Sequence, residues 1–334
     1  MRDRHGAEVW LVAVKATFDI GPDGAMAVSQ QQPPVLRLPE HHGEPGRSSI
    51  KYEADLVLTK RTTDVLVVGQ AHAPAGRQVE SLEVGFQVAA MQKRLRVFGN
   101  RRWGLLKPTR PEPFQTMPIV YERAFGGVDA LSPNPERDWD WRNPVGCGFA
   151  VKKAHLEGVP VPNIEWPDRP VASWDDRPAP AGFGAIGSHW QPRASFAGTY
   201  DEGWKTTRQP LLPDDFDDAF FQCAPPDQQA PRFMIGGEPV TLVNLSPSGR
   251  LHFALPRVHL GFETRFHDGS RQLHRQRRLH TVILEPGFPR VSLVWHTALP
   301  CHFKVHKLER TIVTLKQNLG RDDDAGVDAY REAA

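Results

Sequence analysis

The residue types best suited to chemistry crowd the last third of the chain. Eight of the fourteen histidines lie between His252 and His306, and Cys301, His302 and His306 form the tightest group. Zinc accepts thiolate and imidazole donors, but it needs three or four of them in fixed geometry. Neither H-E-x-x-H nor a paired C-x-x-C supplies the remainder. Histidines on strand surfaces are the plainer reading, and neither a metal nor any other cofactor is expected. Asp214-Asp-Phe-Asp-Asp218 carries the charge of a calcium loop without its spacing or distal glutamate. It reads as a solvated turn plugged by Phe220 and Phe221. Gly182 to Gly187 lacks the strand-to-helix setting of a phosphate cradle, and no G-x-S-x-G elbow surrounds Ser188 and His189. The basic run Arg271 to Arg278 has no interleaved aromatics on which bases could stack. Glu122 and Arg123 differ, since they sit between Tyr121 and Phe125 just before Gly126-Gly127. Such a pair either orders irregular backbone as an ion pair or faces a partner.

These groups need elements to hold them. Val9 to Ile20 alternates, with Trp10, Val12, Val14, Ala16 and Phe18 on one face and more apolar residues opposite, which predicts a strand covered on both sides. Gly21-Pro-Asp-Gly24 is turn chemistry, and Met26 to Val28 returns as a hairpin. Gln30 to Pro34 and Pro39 to Gly46 read as loop. Tyr52 to Leu58, Val65 to Val68, Leu82 to Val88 and Leu95 to Phe98 read as strands. So do Val240 to Leu245, Leu251 to Leu255, Leu279 to Leu284 and Val291 to Trp295. Thr311 to Leu315 fits a strand or a helical turn. The fold class expected is mainly β: an antiparallel sandwich or barrel-like scaffold with few short helices. Residues 1–110 and 236–318 form its two β regions, and 319–334 reads as a flexible tail.

Between them, 111–235 is an irregular platform. Pro111 to Pro231 holds 18 of the 31 prolines and six of the nine tryptophans (Trp139, Trp141, Trp166, Trp174, Trp190 and Trp204). Proline withholds an amide donor and excludes long helices and central strands. Disordered linkers, however, are poor in large aromatics. The stretch therefore reads as ordered backbone pinned to the scaffold, with about four of the six tryptophans in its core. A net charge of +2 argues against nucleic acid and anionic membrane as partners. Three scattered cysteines suit a reducing compartment. The six-residue apolar run Val9 to Val14 is too short for a signal peptide or a membrane span. The expected location is the cytoplasm.

Met117-Pro118, Tyr121-Glu-Arg-Ala-Phe-Gly-Gly127, Asn143-Pro-Val-Gly146, Pro162-Asn-Ile-Glu165, Gly198-Thr-Tyr-Asp201 with Trp204, Leu212-Pro-Asp-Asp-Phe-Asp217 and Phe220-Phe221 occur in that order. With Lys15-Ala-Thr-Phe18 and Tyr52-Glu-Ala-Asp55 upstream, this series resembles a bacterial domain-of-unknown-function family found beside type VI secretion genes. The similarity spans roughly residues 8 to 300 and departs at Ala185, where the family pattern has proline. The resemblance implies an effector adaptor or chaperone that holds a toxin and helps load it onto the VgrG/PAAR spike. It implies no catalytic residue.

The resulting expectation is a non-enzymatic adaptor whose partners are a type VI effector and VgrG/PAAR spike components. Its candidate contact residues are Tyr121, Glu122, Arg123, Phe125, Trp190, Tyr200, Asp201, Trp204, Phe220 and Phe221, because aromatic residues and arginine concentrate at interface centres. The alternatives are a hydrolase, which would need two of Glu122, Asp201 and Asp217 about 5–10 Å apart in one cleft, and a carbohydrate-binding β module, which would need coplanar exposed tryptophans.

Overall fold

In the computed structural model, residues 1–315 are described apart from 106, 275, 276, 302 and 303. The tail 319–334 and His302 lie outside the described residues. Alternation makes Val9–Ile20 a single strand of 12 residues. It turns into Met26–Val28 on one side and pairs with Arg290–Pro300 on the other, setting Phe18 opposite Val291 and Val14 opposite Trp295. Arg278–Glu285 continues this sheet antiparallel, and Asp64–Val67 closes it as its one parallel neighbour. A second five-stranded sheet is antiparallel throughout, in the order Ile164–Glu165, Met91–Phe98, Ser81–Val88, Pro239–Val243 and Arg250–Ala254. Both sheets thus mix strands from the first hundred residues with strands that follow Pro239.

The inner faces meet in one buried cluster, with Phe18, Val282 and Leu293 from the first sheet and Phe86, Leu95 and Leu242 from the second. Each such side chain contributes roughly 1.5–3 kcal/mol by leaving water. The fold is a mainly β, sandwich-like scaffold. A third, smaller sheet joins Arg271–Leu273, Leu260–Phe266 and Leu308–Leu315, so the segment that fitted either a strand or a helical turn is a strand. Among the described residues no helix is long and apolar enough to cross a membrane.

Two expectations need correction. Tyr52 to Leu58 is a strand only over Ile50–Tyr52, which pairs with Glu40–His41 inside the presumed loop. Asp55 explains why the strand stops. Its carboxylate accepts from Lys15 Nζ at 3.0 Å and from the Leu36 amide at 2.7 Å, drawing the backbone out of the ladder. The second correction is Leu260–Phe266, a seven-residue strand that the sequence reading left out.

The platform is irregular, with short 3-10 turns and one α-helix, Glu202–Thr207, capped by the Asp201 carboxylate on the Trp204 amide. It covers the outer face of the first sheet, where Leu66 packs with Ile50, Ala185, Cys223 and Ala224. Polar groups fasten it. Asp64 accepts from Lys60 Nζ at 2.6 Å, from Gln222 Nε2 at 2.8 Å and from the Cys223 amide at 2.9 Å. From the second sheet, Lys93 donates to Asp227 at 3.0 Å and to Gln228 at 2.9 Å. The Gln228 amide nitrogen donates to the Val65 and Phe183 carbonyls, tying that junction back to the first sheet.

Removing the charge from Asp64 leaves Lys60 buried without a counterion. Asp64→Asn is expected to cost about 3–5 kcal/mol, whereas replacing both partners by apolar residues costs much less. Urea unfolding of the two variants checks this; a wild-type midpoint for Asp64→Asn would show that the pair does not fasten the platform.

Candidate functional site

The Tyr121-Glu-Arg-Ala-Phe-Gly-Gly127 segment is locked from two sides. Asn143 is wholly buried and donates from Nδ2 to the carbonyls of Tyr121 at 2.8 Å and Phe125 at 3.0 Å. Its own carbonyl accepts from the Gly127 amide. That approach requires glycine at 126, because a Cβ there would lie 2.2 Å from the Asn143 carbonyl oxygen and φ is +145°. On the other side the Tyr121 ring is buried edge-on to Trp190, with centroids 5.5 Å apart, and its hydroxyl donates to the Gly184 carbonyl. Between these fixed points Tyr121–Arg123 forms a 3-10 turn that presents two charged side chains.

Glu122 and Arg123 do not pair with each other. Glu122 accepts from the Ser49 amide and hydroxyl, each at 2.7 Å. Arg123 Nη1 donates to Asn163 Oδ1 at 3.0 Å and to Asn100 Oδ1 at 3.4 Å. Both side chains line an open cleft of about 830 Å³, together with Arg101, Arg102, Arg110 and Glu112. That volume falls within the range of ligand sites. Arg101 is buried in the wall, its Nη2 donating to Glu165 and to the Pro162 carbonyl at 2.5 Å each, while its Nε has no partner among the described residues. Burial raises the Glu165 pKa, outweighing the opposing pull of Arg101. Cys147, also in the cleft, has its thiol pushed up to about 12 by burial, against the lowering influence of Arg123 and Arg101.

The candidate contact residues separate accordingly. Tyr121, Phe125 and Trp190 are buried, 5%, 2% and 1% exposed, so their assignment to a contact surface is corrected: they are the core that stiffens the platform. Tyr200 is exposed and packs edge-to-face on Trp204 at 4.7 Å, while Asp201 is spent as the helix cap. Phe220 and Phe221 are half-buried around Phe216, with Arg193 over the Phe220 ring. None of these lines the cleft. Of the six platform tryptophans only Trp190 is buried; four are half-buried, and Trp141 is 59% exposed and stacks face-to-face on Trp139. The expectation of four core tryptophans is therefore corrected.

Glu122, Asp201 and Asp217 lie on separate elements. Asp217 caps the Asp218–Phe221 turn and pairs with Arg61, and only Glu122 lines the cleft. The acidic run beside it is a solvated turn, as read from its spacing, with Asp215 holding Thr199. Cys301 is buried and donates to the Leu299 carbonyl, and His306 is exposed. Among the described residues no three His, Cys, Asp or Glu side chains are placed to hold a metal ion. Arg101, Arg102, Asn100 and Asn163 were not anticipated as site residues. They join Arg123 only through the fold, from positions 20 or more residues away in sequence.

A second, small cavity of about 40 Å³ is lined by His280 and His296, whose rings stack with centroids 4.3 Å apart. His296 Nε2 donates to the Asp55 carbonyl at 2.5 Å, which leaves its unpartnered Nδ1 as the lone-pair nitrogen. Burial lowers both pKa values, His280 to about 2 and His296 to about 4.

Together these features define a mainly β scaffold whose platform frames an arginine-lined cleft. The chain belongs to the family described as "Uncharacterized protein conserved in bacteria (DUF2169)", whose model matches residues 5–296. No curated protein and no solved structure matches it.

Two outcomes follow. Asn143→Ala removes a donor from the Phe125 carbonyl and leaves the Tyr121 carbonyl with the Ala124 amide alone, at a cost of about 1–3 kcal/mol; amide exchange should quicken around residues 121–127 while the sheets stay protected. Unchanged exchange there would refute the lock. The histidine pair gives the protein an acid limit. In the unfolded chain both imidazoles take up protons below about pH 6.5, while in the fold they resist until about 4 and about 2. The unfolded state then binds more protons, so stability falls as pH drops from 6.5 towards 4. Denaturant midpoints at pH 7 and 4.5 measure the loss, and His280→Asn should make it shallower.

Proposed function

We propose that this protein is a non-enzymatic adaptor of type VI secretion, which binds a toxin effector in the cytoplasm and helps load it onto the VgrG/PAAR spike. The observation that carries the reading is the cleft itself. It is large enough for a segment of a partner, and its walls are fixed by Asn143 and Asn163. Four of its side chains are arginines, the residue that interfaces favour for directional polar contacts. Rigid walls lose little conformational entropy on binding, so more of the contact energy appears as affinity. The resemblance of the ordered sequence blocks to effector adaptors supplies the identity of the partner. Tyr200, exposed beside Trp204, offers a further aromatic contact on the same platform.

The test is affinity capture from the native bacterium while its secretion system is expressed, with mass spectrometry of the bound proteins. The wild-type chain should recover one spike- or PAAR-linked toxin, and a variant carrying Arg102→Gln and Arg123→Gln should lose it. Recovery of no secretion component would overturn the reading.

A further inference from the structure

The cleft has an electrostatic identity as well as a shape. Its lining holds four arginines and two glutamates, Glu112 and Glu122. Two arginines are already neutralised: Arg101 by Glu165 and Arg110 by Glu80, each at 2.5 Å. The other two are not. Among the described residues Arg102 donates to a neutral acceptor, the Gly158 carbonyl at 2.8 Å. Arg123 likewise uses only Nη1, on the amide oxygens of Asn163 and Asn100. A guanidinium has five N–H donors, so each side chain is oriented through one nitrogen and keeps the rest of its fork. Among the described residues the buried Nε of Arg101, in the same wall, has no partner.

We infer that this cleft is a carboxylate-recognition site that takes a short acidic segment of a partner polypeptide, with Arg123 and Arg102 as the paired readers. Planar forks matched to planar carboxylates give bidentate, charge-assisted hydrogen bonds. Val120, Pro160 and Val161 supply apolar wall for the segment's backbone and methylenes. One feature weighs against nucleic acid: among the described residues no aromatic side chain lines the cleft for bases to stack on. The inference rests on the adaptor reading only in making the occupant a polypeptide.

Fluorescence anisotropy on the full chain tests it, using a labelled ten-residue peptide alternating Glu and Gly and its Gln-Gly counterpart. The glutamate peptide should bind at least about tenfold tighter, with affinity falling as salt rises. Arg123→Gln should weaken it about tenfold or more, a difference of 1.4 kcal/mol per decade, and Arg123→Lys should restore only part. Arg102→Gln, an exposed change, should act in the same direction without affecting the fold. Arg94→Gln, 75% exposed and outside the cleft, should change nothing. Equal binding of the two peptides would overturn the inference. So would displacement at equal concentration by inorganic phosphate, which marks a simple anion hole, or by an oligothymidine, which marks a nucleic-acid groove. Peptide binding without capture of any secretion component would sink the adaptor reading alone. Capture that depends on the cleft arginines, without preference for glutamate, would sink this one.

Discussion

A carboxylate with no solvent contact must be neutralised where it stands, and Asp64 is such a group. Taking an ion out of water costs several kcal/mol, recovered only when charge and hydrogen bonds are both supplied. Lys60 supplies the charge, and burial pulls its ammonium pKa down less than Asp64 and its other neighbours push it up. Gln222 and Cys223 supply the remaining bonds, and both belong to the platform. The sheet edge is therefore satisfied only when the platform lies on it. Lys93 imposes the same condition from the second sheet, its pKa pushed down to about 8 by burial although Asp227 opposes the shift. A region too rich in proline to build a sheet is held by polar groups whose requirements it alone meets.

The cleft inherits that rigidity. Asn143 substitutes for the ladder bonds that irregular backbone lacks, bridging two carbonyls of the 121–127 segment. Asn163 works similarly one layer out, donating to the Phe98 carbonyl and accepting from Arg123. Since Phe98 ends a strand of the second sheet, the guanidinium is referenced to the scaffold through a single amide side chain. Neutral oxygens orient the arginine without consuming its charge, which a carboxylate in their place would do.

How much of this could be read from the sequence depended on where each determinant lay. Strands whose faces alternate locally were readable to within a few residues. Val9–Ile20 and Met26–Val28 match, and Ser81–Val88 pairs with Met91–Phe98. Leu260–Phe266 escaped because Gly261 and the buried Thr264 interrupt its apolar rhythm; the Thr264 hydroxyl lies 2.6 Å from His274 Nε2 in the interior. Tyr52 to Leu58 misled because Asp55 answers to Lys15, 40 residues upstream. The aromatic residues misled about the site for a related reason. Tyr121, Phe125 and Trp190 have the composition of an interface centre, but composition does not say which face of a ring is free. Glu122 and Arg123 could be singled out by their setting, while Arg101, Arg102 and the two orienting asparagines could not. Their proximity is set by strand pairing between Arg101–Arg102 and Pro160–Val161.

The character of the cleft follows from which groups are already engaged. Glu122 has both oxygens on Ser49, so it is oriented as a bracket between the turn and a distant loop. Cys147 is held as a neutral thiol by burial, and the thiolate is the nucleophilic form. Among the described residues the forks of Arg102 and Arg123 remain without a carboxylate partner, each held by neutral oxygens. Fixed donors of one sign discriminate among partners by charge and angle, and they attract an oppositely charged segment before contact. Under the proposed reading these donors are what would meet a partner, while the buried Asp64 and Lys93 junctions fasten the platform to both sheets.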